Sequence, residues 1–125
     1  MGAGGFMKIL TRILTLIYMA MLCYVSIQPG PVGKGADTVR QVVNNILHIP
    51  AYGLLVFLII KSFPKFKHIY IASFLFAVAF GVFNEYLQSF VPGRYPSIMD
   101  VLLNGIGSLI VALFYAKRRR VDQRP

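Results

Sequence analysis

The chain has 125 residues, 57% hydrophobic and 14% charged, with no tryptophan and a mean hydropathy of +0.67. That leaves too little charged surface for a soluble domain of this size, and one domain spanning 1–125 is expected. The net charge of +9 would suggest nucleic acid in a soluble protein, and the single Cys23 excludes an internal disulfide or a cysteine-based zinc site.

The first apolar run covers 9–28. Lys8 and Arg12 precede or open it, as in a signal peptide, but it is long for such a segment and has no A-x-A site. No small residue stands just before Cys23 for lipidation, and Phe6 occupies the position where myristoylation needs Ser or Thr. The run is read as a retained transmembrane helix, and the glycine-rich first five residues as disordered. Pro29-Gly30-Pro31-Val32-Gly33 then breaks the chain.

Asp37 or Thr38 is expected to cap the next segment. Val39, Val42, Val43, Ile46 and Leu47 recur at helical spacing, with Arg40, Gln41, Asn44 and Asn45 on the opposite side. This predicts a short amphipathic helix in the interface that feeds into helix two. Helix two is expected over 46–62, with His48 in its first turns and Pro50 either bending it or sitting in its opening turn.

A basic turn, Lys61 to Lys67, leads to helix three over 69–90; His68 in that turn is read as incidental. A proline-framed loop from Val91 to Ser97 leads to helix four over 98–116, and the basic tail 117–125 ends the chain. The fold class is therefore all-α: a polytopic membrane protein with four transmembrane helices of roughly 20 residues each and one interfacial helix.

Topology follows from the cations. With the N-terminus inside, Lys8, Arg12, Lys61, Lys65, Lys67, Lys117, Arg118, Arg119, Arg120 and Arg124 are cytoplasmic, against Lys34, Arg40 and Arg94 outside. Both termini are expected in the cytoplasm. The cations stand at the ends of apolar runs without interleaved aromatics, so anionic headgroups are their expected partners and nucleic acid is not.

That topology gathers the scarce polar residues near the outer face: His48, Glu85, Gln88, Arg94, Asp100 and Asn104. Ionisable groups at membrane depth are costly and usually have a pairing or functional reason. Each also has a plainer explanation. Glu85 must be protonated or paired, and Arg94 or His48 would serve simply to hold the bundle. Ser97-Ile98-Met99-Asp100 fits a capping box, so Asp100 has work at the start of helix four. Asn104 suits an interhelical hydrogen bond, and Gly105, Gly107 and Ser108 suit close helix packing. His48, Glu85 and Asp100 lack paired-ligand spacing, so no metal or other cofactor is expected. Ser89 and Ser97 lie outside any nucleophile-elbow context.

Asn84-Glu85-x-x-Gln88-x-Phe90-x-Pro92-Gly93-Arg94, followed by Ser97-x-x-Asp100-Val101-x-x-Asn104-x-x-Gly107, resembles the VanZ-like family of bacterial membrane proteins, and the resemblance covers about 47–113. It implies a multi-pass protein of the bacterial cytoplasmic membrane. Its founding members are accessory proteins associated with resistance to teicoplanin-type glycopeptides. Carried over by position, the motif residues are His48, Glu85, Gln88, Arg94, Asp100 and Asn104. Membrane lipids are the expected partners, together with a lipid-linked cell-wall precursor or a glycopeptide. Three functions remain open: binding or modulation of such an envelope component, which is preferred, an enzyme acting on a lipid or isoprenoid-phosphate headgroup, and a structural partner without ligand. Neither oligomeric state nor a resistance role for this chain follows from the residues.

Overall fold

The computed structural model describes residues 2–29 and 37–125, and within them the chain is helical with no strand. The helices are α1 (Ala3–Ser26), α2 (Asp37–Ser62), α3 (Ile69–Gln88) and α4 (Ile98–Asp122). All four are long and apolar enough to cross a membrane. Residues 3–5 belong to α1, so the disorder expected for the glycine-rich start does not extend to them.

The expected interfacial helix is not a separate element. Residues 37–47 and the second apolar run form one 26-residue helix, and Pro50 lies inside it. A proline removes one backbone donor without necessarily ending a helix, provided neighbouring helices brace the site. Val39, Val42, Val43, Ile46 and Leu47 are exposed on the first turns of α2, an apolar surface that the bundle leaves uncovered. Lys34, and the side chains of Asp37, Thr38, Arg40 and Gln41 expected to cap the segment and form part of its polar face, lie outside the described residues.

The chain runs up and down. Tyr18 on α1 donates to the Ala51 carbonyl on α2 at 2.8 Å, and Thr15, one turn earlier on α1, meets Ser62 at the end of α2 at 3.0 Å, so α2 runs antiparallel to α1. α2 is the central helix: Tyr52, Leu55, Val56, Ile59 and Ile60 supply most of the buried apolar core, completed by Ile69, Ala77 and Ala112. Most large apolar side chains of α1, α3 and α4 point outward, as expected when the surrounding solvent is hydrocarbon.

Small residues set the helix spacing, because lipid gives helices little hydrophobic reason to associate. A Cβ at Gly107 on α4 would overlap the backbone carbonyl of Ile49 on α2, so that crossing requires glycine. Gly105, expected to share this role, is only half-buried and has no atom closer than 4.0 Å to the position of a Cβ. Of these three, the register of α4 turns Gly107 and Ser108 inward, alongside Asn104 and Ala112.

The end of the bundle that holds both chain termini is basic and aromatic. Arg12 lies 4.9 Å from the Phe63 ring centre, Lys61 lies over Phe57 and Tyr115, and Arg119 over Tyr70. The opposite end holds the polar residues.

Candidate functional site

At that opposite end, the last turns of α1, the middle of α2, the last turn of α3 and the α3–α4 loop enclose a cavity of about 190 Å³. Its polar wall comprises Asn44, His48, Tyr52, Asn84, Glu85, Gln88 and Arg94. Leu22, Val25, Leu47 and Ala51 form an apolar wall, with Ser26 at the end of α1. Four of the residues singled out in the sequence therefore line one space: His48, Glu85, Gln88 and Arg94.

Asp100 and Asn104 are not cavity-lining residues; they stand behind His48. The Asn104 side-chain oxygen lies 2.7 Å from His48 Nδ1, and Asp100 Oδ2 lies 3.9 Å from His48 Nε2. An amide oxygen can only accept, so Nδ1 carries a proton. The ring also stacks on Tyr52, one turn further along α2, at a centroid distance of 6.4 Å. Two residues of α4 and one of α2 thus fix the imidazole as part of the wall.

Asn104 is nearly fully buried, and its position depends on a glycine. A Cβ at Gly81 on α3 would stand 2.8 Å from Asn104 Nδ2 and 3.3 Å from the Tyr52 ring. The i, i+4 row Ser73, Ala77 and Gly81 is the face of α3 that turns inward, and it continues into Asn84, Glu85 and Gln88.

Glu85 is buried and accepts the backbone N–H of Ser97 at 2.9 Å. Ser97 is the N-cap of α4, and its hydroxyl accepts from the Asp100 N–H at 3.4 Å, one half of the capping box expected from the sequence. Glu85 is therefore anchored to the loop that carries Arg94. No carboxylate lies within 4.0 Å of the Arg94 guanidinium among the described residues, so neither it nor His48 forms the ion pair with Glu85 that the plainer reading supplied.

Tyr52 and Asn84 are wall residues that sequence reasoning did not single out. Asn84 Nδ2 donates to the Tyr52 hydroxyl at 2.7 Å, and both side chains are almost fully buried. A signal for each was present. Tyr52 follows His48 by four residues, and Asn84 precedes Gln88 by four at the end of the small-residue row of α3. Among the described residues, no group of three His, Cys, Asp or Glu is placed to hold a metal ion.

The VanZ/LLP1 family profile matches residues 7–119, nearly the whole chain. The chain belongs to the VanZ/LLP1 family. No curated protein and no solved structure matches it significantly. Family membership and four apolar helices together make this a VanZ-like, multi-pass membrane protein. In this VanZ-like chain the motif from Asn84 to Gly107 joins three jobs: cavity wall, loop anchor and close helix packing.

Proposed function

We propose that this VanZ-like protein binds the headgroup of a membrane-embedded envelope component, and so modulates what else reaches that component, a teicoplanin-type glycopeptide included. The observation that carries this reading is the composition of the cavity: His48, Glu85, Gln88 and Arg94 line one side and Leu22, Val25 and Ala51 the other. A polar wall beside an apolar one matches a molecule with a polar head and a hydrocarbon tail. Arg94 supplies a planar donor fork suited to phosphate. Both His48 nitrogens face residues of α4, which orients the ring within the polar wall.

The distribution of cations orients the site. Ten Lys and Arg against three supports a topology with both termini in the cytoplasm and the cavity toward the outer leaflet of the bacterial cytoplasmic membrane. The test is native mass spectrometry of the protein extracted from bacterial membranes. Wild type is expected to retain a one-to-one lipid that Arg94→Ala and the cavity-filling Leu22→Trp both lose. Identical lipid retention by all three folded proteins would refute the binding site.

A further inference from the structure

The side chain of Asn84 is 3% exposed, and its Oδ1 is the one buried side-chain polar atom without a hydrogen-bond partner among the described residues. Buried acceptors are rarely left unpaired, and in an apolar surrounding the cost is larger than in water-exposed protein. Asn84 is also a wall residue of the cavity. Its Nδ2 is already committed to the Tyr52 oxygen at 2.7 Å, and Tyr52 retains its own hydroxyl proton for donation. One acceptor and one donor therefore stand side by side. A single hydroxyl, which donates once and accepts twice, satisfies both.

Resting on the reading of the cavity as a headgroup site, we infer that its ligand is a phosphodiester whose polar arm carries hydroxyls, a polyol or a sugar. The phosphate meets Arg94, and, once the buried Asn84 amide turns toward the cavity, one hydroxyl donates to Asn84 Oδ1 while accepting from Tyr52. At about 190 Å³ the cavity is small, which suits one small polyol or sugar unit. A quaternary ammonium headgroup offers no donor to Asn84 and brings a cation toward Arg94. Phosphatidylglycerol and an isoprenoid-phosphate sugar share the required chemistry, and the experiment separates them.

Purified full-length protein is titrated by native mass spectrometry with dioleoyl phosphatidylglycerol, phosphatidylethanol and phosphatidylcholine. Phosphatidylethanol carries the same single negative charge as phosphatidylglycerol but no hydroxyl. Wild type is expected to prefer phosphatidylglycerol over phosphatidylethanol by about tenfold, the effect of one good hydrogen bond, and both over phosphatidylcholine. Asn84→Leu and Tyr52→Phe should bring phosphatidylglycerol down to the level of phosphatidylethanol and leave the latter unchanged. Should Asn84→Leu fail to fold, Tyr52→Phe, which removes one oxygen, decides the matter. A parallel arm compares a polyprenyl phosphohexose with the ethyl ester of the same polyprenyl phosphate, a phosphodiester of equal charge without hydroxyls. A larger Tyr52-dependent gain there identifies the isoprenoid source, and a larger gain with phosphatidylglycerol identifies the phospholipid. Equal wild-type binding within both charge-matched pairs, with Arg94→Ala still weakening every anion, overturns the hydroxyl inference and leaves the headgroup site standing. Binding of all lipids that is indifferent to Arg94→Ala overturns both.

Discussion

The Glu85 carboxylate of α3 accepts the backbone N–H of Ser97 at 2.9 Å, so the residue that starts α4 is held by the helix before it. The loop between them carries Arg94 to the cavity rim. A carboxylate buried near a membrane face here has a structural duty, and that duty fixes the position of a cation that faces the cavity.

Glu85→Gln keeps an oxygen able to accept the Ser97 N–H, whereas Glu85→Ala leaves that donor without its partner. The alanine variant is expected to lose about 1–3 kcal/mol, and the glutamine variant less. Thermal unfolding in detergent measures the difference, with amide hydrogen exchange at 97–100 as the local readout. Equal loss in both variants would mean that charge, and not the loop anchor, is what Glu85 contributes.

His48 and Asn104 are partners at 2.7 Å across α2 and α4. Asn104→Leu and His48→Phe should each destabilise the protein, and the double variant should cost less than the sum of the two by about 1 kcal/mol. A thermodynamic cycle that closes additively would show that the contact contributes no coupling.

Gly107 and Gly105 sit two residues apart and should respond oppositely to the same change. Gly107→Ala meets the Ile49 carbonyl and should cost at least about 1–3 kcal/mol, while Gly105→Ala has open space and should be neutral or slightly stabilising. Yield of monodisperse protein after extraction separates the two.

Tyr95, 86% exposed in the α3–α4 loop, and Lys65, exposed in the α2–α3 turn, lie at opposite ends of the bundle. In a Cys23→Ser background, Tyr95→Cys should react with a membrane-impermeant thiol reagent added to intact cells, and Lys65→Cys only after lysis. The reverse pattern would invert the proposed topology.

Much of this fold can be read from residue order. The apolar runs read over 69–90 and 98–116 cover α3, which ends at Gln88, and most of α4, because helices in lipid satisfy their own backbone and need only length and hydropathy. The start of α2 was less legible. The amphipathic pattern up to Leu47 reads as a separate interfacial helix and Pro50 as a bend or an opening turn, yet one helix continues from Asp37, since hydrogen bonds along the chain persist on both sides of one missing donor. α4 likewise extends to Asp122 through its basic tail, where charged residues of good helix propensity remain helical beyond the apolar span.

The six polar residues were legible as a group, but their separate duties were not. Asp100 reads as a capping residue from its spacing alone, and its carboxylate also stands 3.9 Å from His48 Nε2, a relation between helices 52 residues apart in sequence. Asn84 was legible only as the first residue of the family motif and Tyr52 only as an aromatic in an apolar run, because that both face one cavity depends on how α2 and α3 are rotated. What the sequence by itself determined was family, the number of helices able to span a membrane and the gathering of cations at the ends of apolar runs, since each is a sum over local composition or a linear motif. Only the tertiary structure decided which side chains share a cavity, which brace His48 from behind and which acceptor stands unpaired. Those outcomes depend on the rotation of each helix about its axis and on its axial register, and both are set by close contacts such as Gly107 against Ile49 that no single helix contains.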